Sequence, residues 1–262
     1  MTPDEKLESL LKRQTRFPKL CHLASCNSTQ DLAAQEPTAG SEVHLASGDA
    51  VFWTDHQTRG RGRQERIWND EAGLDLAVTL RVTTKLDNPL ALPAALPAAV
   101  LQACEPLAGQ RLRIKWPNDV YASDRKLSGV LIDRDTARPN TYRIGIGINV
   151  NRTKFEGDLA SIGTSLALLS GKQQDRHALV LEVATRVDAM VTAIENGDLS
   201  EHLDVFRERL GLLGENVEVQ AKETVTGRLT SIDFANLVLD DAVTVPLAIV
   251  RSLRAEQQRR RE

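Results

Sequence analysis

The sequence predicts an α+β fold, a mixed β-sheet domain with flanking helices over residues 1–212 followed by a small β-rich unit over 213–262. Three observations carry this. Apolar residues alternate along several short runs, one long segment repeats at the helical interval, and the pattern changes to closely spaced short strands beyond Gly211 and Gly214.

Residues 1–15 read as a polar helix, with Leu7, Leu10 and Leu11 at three- and four-residue steps. Val51-Phe52-Trp53 is a short strand that leads into a charged loop over 55–68. Leu74, Leu76, Val78, Leu80 and Val82 alternate as a half-buried strand. Residues 93–107 are rich in Ala and Leu and read as a helix despite Pro97. Residues 111–116 alternate again and stop at Pro117, which has no N–H to donate. Strands follow over 127–133 and 142–150. The clearest helix is 175–196, where Val180, Val183, Val187, Met190, Val191 and Ile194 share a face and Gly197 follows the end. Ser200 is placed to cap a second helix containing Leu203, Phe206 and Leu210. Four short strands around Val217, Val225, Leu237 and Val243 make a small barrel or sheet, and Arg259–Arg261 form a basic solvated tail.

The chain has 262 residues, 41% apolar and 26% charged, enough to bury a core. Its formal net charge of -3 argues against a general polyanion coat, so contact with anions must be local. Three cysteines cannot all pair and fit a reducing compartment. The apolar stretch 90–104 is interrupted by prolines and shorter than a membrane span, and the N-terminus lacks a signal-peptide core. These features predict a cytoplasmic protein with no membrane partner.

The most unusual run is Asp55-His56-Gln57-Thr58-Arg59-Gly60-Arg61-Gly62-Arg63-Gln64-Glu65-Arg66-Ile67-Trp68. It holds four arginines in eight residues, with interleaved glycines. Guanidinium forks grip phosphate or carboxylate, and glycines let backbone approach a ligand. A loop ordered by a small phosphate compound is therefore expected. A merely solvated loop and an RNA-binding arginine–glycine module are the rival readings; the acidic net charge and the single short run disfavour RNA. Lys115-Trp116-Pro117-Asn118-Asp119 sets a cation and two turn-formers at a strand end. Trp116 reads equally as core, and Asn118-Asp119 as a simple turn. Gly145-Ile146-Gly147-Ile148-Asn149 lacks a third glycine and a following helix, so it is no dinucleotide fingerprint. It suggests a flat floor on which something lies close to the backbone, with Asn149 available to read a base edge.

Taken in order, these words resemble the biotin protein ligase family. The likeness rests on Ser28-Thr29, Gln57-Thr58, Gly60-Arg61-Gly62-Arg63, Arg66-x-Trp68, Lys115 to Asp119, Arg125-Lys126-Leu127, Gly145-x-Gly147-x-Asn149-Val150 and Thr164-Ser165-Leu166. It implies a C-terminal SH3-like domain and a ligase without the DNA-binding domain of bifunctional members. It further implies two steps: biotin and Mg-ATP give biotinyl-5′-AMP, which acylates a lysine of the biotin carboxyl carrier domain of acetyl-CoA carboxylase. By this resemblance Lys126 and Arg63 are catalytic, and Ser28, Thr29, Gln30, Gln57, Arg61, Gly62 and Gly129 join them at biotin. Arg66, Trp68, Asn118, Asp119 and Asn149 serve the nucleotide, with Asp119 the candidate base for the carrier lysine. No metal ligand is assigned. Gln30 stands where the family usually has Asn, Glu65 where it has Gly, and Arg59 where it has a small residue; Glu65 is expected to pair with Arg59. A biotin-binding sensor with weak catalysis and a lipoate ligase relative are the alternatives. An exposed sheet edge leaves monomer and homodimer both open.

Overall fold

The computed structural model describes residues 1–35, 48–136 and 138–256, without the side chains of Glu65 and Asp158. The expected basic tail at Arg259–Arg261 and the Glu65–Arg59 pairing lie outside what is described.

Seven strands form one mixed sheet in the order β1-β2-β3-β7-β6-β5-β4. They are β1 (Leu20–Leu23), β2 (Ala50–Thr54), β3 (Leu76–Thr83), β4 (Arg113–Lys115), β5 (Asp119–Ala122), β6 (Arg125–Arg134) and β7 (Thr141–Ile148). β1 runs parallel to β2; the other neighbours are antiparallel. Among the described residues six α-helices accompany them: α1 (Pro3–Gln14), α2 (Thr29–Ala34), α3 (Ala91–Ala108), α4 (Leu166–Ser170), α5 (Arg176–Asn196) and α6 (Ser200–Leu210). A second, antiparallel sheet has the order β11-β10-β9-β8-β12. Its strands are β8 (Asn216–Gln220), β9 (Thr224–Ile232), β10 (Asn236–Leu239), β11 (Val243–Pro246) and β12 (Ser252–Ala255).

Register separates the large sheet into two chemically different faces. Trp53, Val78, Ile146 and Val130 are successive cross-strand neighbours and all enter the main core with α3 and α5. Their chain neighbours make the opposite row, Thr54, Ala77, Gly147, Gly129 and Asp119. Side chains alternate along each strand, so this second row presents small residues to the other face and leaves a trough there.

α3 is packed on the apolar face, with Ala95, Leu96, Ala99 and Val100 fully buried. Among the described residues it is the one helix long and apolar enough to cross a membrane. At 18 residues it exceeds the span expected from sequence, yet 72% of it is buried inside the fold. Its apolarity serves the core.

Several expectations change. The strand of Leu76–Thr83 is buried along both faces except at its end, because α2 covers the side expected to meet water. The cap of α6 is the backbone at Leu199; Ser200 is already the first helical residue. The turn after Pro117 opens directly into β5, where sequence reading placed no strand. β1, α2, α4 and β12 were also not anticipated: each is 4–6 residues long, too short to show a period. The C-terminal sheet therefore has five strands, β12 returning beside β8. Trp116 belongs to packing: its Nε1 donates to Val250 O at 3.1 Å and its ring meets Phe206 edge-on, joining the end of β4 to α6 and the second sheet.

Candidate ligand site on the glycine-floored face

The trough is walled by α2 and by the arginine–glycine loop. Ser28 caps α2, its hydroxyl accepting from Gln30 N at 3.3 Å, and this fixes Thr29 and Gln30 over the sheet. Gln57 Oε1 accepts from Thr29 N at 2.9 Å and from Thr29 Oγ1 at 3.3 Å, while Thr79 Oγ1 donates to Thr29 Oγ1 at 2.9 Å. Gln57 N in turn donates to Asp70. Gln30 lies across Gly145: a Cβ there would come within 2.7 Å of Gln30 Nε2. That nitrogen donates to Leu131 O at 3.1 Å and Arg143 O at 3.3 Å, and Oε1 is buried without a partner. The extra methylene of Gln30 thus spans to the carbonyls of β6 and β7.

Residues 60–68 form a narrow hairpin. Gly62 N donates to Arg66 O at 2.8 Å and Trp68 N to Gly60 O at 3.0 Å. Any side chain at Gly60 would strike Trp68 O at 2.2 Å, which is why the crossing needs glycine. The hairpin carries Trp68 onto the floor: a Cβ at Gly147 would sit 2.3 Å from the indole, and one at Gly129 3.2 Å from it. Something does lie on the two-glycine strand, and in this structure it is Gln30 at one glycine and Trp68 at the other. Trp68 Nε1 is buried and unpartnered.

Charge gathers beside the indole. Lys126 Nζ is 2.8 Å from Asp119 Oδ1 and 5.9 Å from the Trp68 ring centre. The lysine and the aspartate form an ion pair across the floor of the trough. Arg63 Nη1 donates to Asn118 Oδ1 at 3.2 Å, and Asn118 Nδ2 to Val130 O at 3.0 Å. Desolvation holds the Arg63 guanidinium below its usual pKa, yet its side chain remains exposed and charged. Arg61 reaches Asp133 at 3.0 Å and Asp31 at 3.1 Å, bridging the hairpin to β6 and α2. The hairpin and β6 enclose a cavity of about 580 Å³ lined by Arg59, Arg61, Arg63, Arg66, Leu131 and Asp133.

Asn149 is fully buried. Its Nδ2 donates to Thr164 O at 2.9 Å and Lys126 O at 3.3 Å, so only the unpartnered Oδ1 is left to meet anything else. It ties the start of β6 to the loop after β7 and so sets where Lys126 begins.

Sequence reading missed a second layer. Asp75 and Arg152 form a buried pair; Asp75 also accepts from Val150 N and Glu71 N, and Arg152 donates to Asn69 O at 2.8 Å. Burial pushes the Asp75 carboxyl up against the opposing pull of Arg152. This pair anchors the base of the hairpin to the end of β7. Asp70 and Thr79 hold Gln57 and Thr29. The available signal was a lone Asp opening an apolar strand.

The site therefore brings together Ser28, Thr29, Gln30 and Gln57 on one side, Trp68 in the middle, and Arg63, Asn118, Asp119 and Lys126 on the other. Comparison with known proteins agrees in fold and sequence. Residues 40–151 match the model of the biotin/lipoate A/B protein ligase family. The chain is 36% identical over 135 residues to the bifunctional ligase/repressor BirA of Bacillus spizizenii, covering 49% of this chain and 42% of that protein. It is 28% identical over 247 residues to the biotin--[acetyl-CoA-carboxylase] ligase of Mycobacterium tuberculosis, covering 89% and 91%. The chain thus spans about half the length or less of the first of these relatives. The biotin protein ligase of Aquifex aeolicus, solved in complex with biotin and ATP, superposes with a TM-score of 0.78 at 27% identity over 92% of this chain and all of that one. In fold and sequence the chain is similar to ligases of the biotin and lipoate class. Within that class, the sequence and the fold are most often similar to biotin protein ligases.

Proposed function

We propose that the chain is a biotin protein ligase that activates biotin with ATP to biotinyl-5′-AMP and transfers the acyl group to one lysine of a biotin carboxyl carrier domain. The observation that carries this reading is one trough with two kinds of wall, a neutral hydrogen-bonding end and a cationic end, separated by an aromatic ring on glycine.

Joining biotin to AMP requires a carboxylate to approach the α-phosphate, two anions that repel each other. Fixed cations that meet both lower that barrier, most strongly where charge builds up in the transition state. Lys126 is the cation built into the floor, and Arg63 the one carried by the hairpin. The biotin carboxylate displaces pyrophosphate at phosphorus, giving the mixed anhydride. Ser28, Thr29, Gln30 and Gln57 suit the uncharged ureido ring, whose N–H and C=O groups need fixed partners in a tight pocket. Gln30 Oε1, buried and unpartnered, is an acceptor ready for one of those N–H groups. Trp68 offers a face for adenine, and Arg61, Gly62 and Arg66 cover the anhydride against water.

The donors at the cationic end, the Asp119 carboxylate and the Asn118 amide oxygen, are hard oxygens. They fit Mg²⁺, which needs one or two protein oxygens beside phosphate and water. Bound there, the ion would neutralise charge on the leaving phosphates. For the second step Asp119 is the candidate to take a proton from the incoming lysine, which must be uncharged to attack the acyl carbon and expel AMP. The reducing, ATP-rich cytoplasm suits this chemistry and the three free cysteines.

The direct test is transfer. Purified protein, ATP, Mg²⁺ and biotin are incubated with a recombinant biotin carboxyl carrier domain, and the carrier is weighed by mass spectrometry. One biotinyl group on its lysine is expected. A carrier modified by lipoate in preference to biotin would favour the lipoate ligase reading, and biotin bound without transfer would favour a sensor.

A further inference from the structure

The face of the large sheet opposite the trough carries a second constellation of chemical groups. Asp4 from the first turn of α1, His22 from β1 and His177 from the first turn of α5 converge, and their ligand atoms all lie within 4.8 Å of one another. Among the described residues it is the one group of three or more His, Cys, Asp or Glu side chains arranged in this way. Asp4 Oδ1 is 2.9 Å from His177 Nε2, and Asp4 Oδ1 and Oδ2 are 3.1 and 3.0 Å from His22 Nδ1.

The two carboxylate–imidazole spacings suit shared ligands, and the two imidazoles lie within 4.8 Å. Donors about 2.0–2.2 Å from one ion lie about 3–3.5 Å apart from each other. Two imidazoles and one carboxylate are the donor set of borderline divalent ions such as Zn²⁺, Co²⁺ and Ni²⁺, and too nitrogen-rich for Mg²⁺ or Ca²⁺.

A second observation concerns the other nitrogen of His22. Nε2 is buried, makes no aligned hydrogen bond, and faces Asp55 Oδ1 at 3.4 Å; Asp55 is itself held by Arg176 Nη2 at 2.8 Å. A carboxylate behind a ligating histidine fixes the N–H on that side and turns the lone pair of the far nitrogen toward the metal. Here Asp55 would hold the proton on Nε2 and leave Nδ1 free toward Asp4 and His177. The ring is further fixed by stacking flat on Trp53, centroids 3.9 Å apart and planes within 3°, while His177 meets the same indole edge-on at 4.7 Å. Asp4 is about half exposed, so water can complete the coordination.

The geometry points to a divalent transition-metal site formed by Asp4, His22 and His177, with Asp55 orienting His22, that clamps α1 and α5 onto β1. It lies away from the glycine floor and is independent of the ligase reading. The Arg176 guanidinium and the positive ends of two helices oppose a cation here, which sets the expected affinity near the micromolar range rather than that of a closed structural zinc site.

The test uses the full chain, stripped with chelator and titrated with ZnCl₂ by calorimetry, then with CoCl₂ while visible absorption and Trp fluorescence are followed. One equivalent is expected, with fluorescence quenched by Co²⁺ because two ligands touch Trp53. Asp4→Asn and His177→Gln alter partly exposed positions, and circular dichroism verifies their fold. Each should weaken binding at least about 100-fold, and Asp55→Asn about 10-fold. His202→Ala should bind as the parent does. Absence of saturable binding up to millimolar Zn²⁺ would overturn the site. So would one equivalent retained undiminished in folded His177→Gln; either result would leave a triad held by hydrogen bonds alone.

Discussion

The two faces of the seven-stranded sheet are built from the same strands and behave oppositely. The face under α3 and α5 is apolar over most of its area: Leu80, Ile144, Ile148, Leu96, Val100 and Val187 are all wholly buried in one core. The trough face is floored by Gly147 and Gly129. Among the described residues it keeps buried polar atoms without hydrogen-bond partners on Gln30, Trp68 and Asn149, where the other face keeps them on Trp53 and His22. Folding alone gives no reason to leave such atoms unpaired, since each costs about 1–3 kcal/mol. The difference teaches where this chain has given up apolar packing for an open, glycine-floored surface.

Substitutions can break that contrast, and they rank by effect. Lys126→Ala on the trough face should lower biotin-dependent turnover about 10²–10³-fold with little change in melting temperature; a loss under tenfold in steady-state assays would remove Lys126 from the centre. Gly147→Ala places a methyl where the indole rests. It should cost about 100-fold in kcat/KM, the price of roughly 1 Å of misplacement, while thermal unfolding moves little. The buried pair behind the hairpin answers differently: Arg152→Met strands the Asp75 carboxylate and should cost about 3–5 kcal/mol in denaturant unfolding. On the apolar face, Leu96→Ala should cost about 2–5 kcal/mol and leave KM for biotin in the remaining folded enzyme unchanged.

The smallest effect concerns pH. Arg16 donates to Glu195 and holds its carboxyl below the usual range. The folded pKa is depressed, so the stabilisation is complete above the unfolded value and fades as pH falls through the folded one. The pair is partly exposed, so the loss on acidification should stay under about 1 kcal/mol. Glu195→Gln should flatten that acid limb of the stability curve and leave neutral-pH activity alone.

Much of this contrast was legible in residues. Long periodic elements such as α5 and β7 announced themselves because apolar spacing reflects a buried face. The glycine pair on β7 was readable as a floor, and the arginine–glycine run as the wall of the candidate site. What escaped were elements too short to carry a period, such as α2 and β1, and contacts made by the fold alone. Nothing near Asp75 in the chain points to Arg152, 77 residues away. The double burial of β3 was hidden for the same reason, since its cover, α2, lies far upstream. Trp116 read equally well as ligand or core until Val250 supplied a partner for its indole nitrogen.

The central claim is that the trough joins biotin's carboxylate to the α-phosphate of ATP. Isotope exchange between pyrophosphate and ATP measures that step alone, without a carrier. The account predicts exchange that needs biotin, that lipoate does not support, and that falls with Lys126→Ala in a folded protein. Exchange without biotin, or none in well-folded protein supplied with biotin, ATP and Mg²⁺, would contradict it.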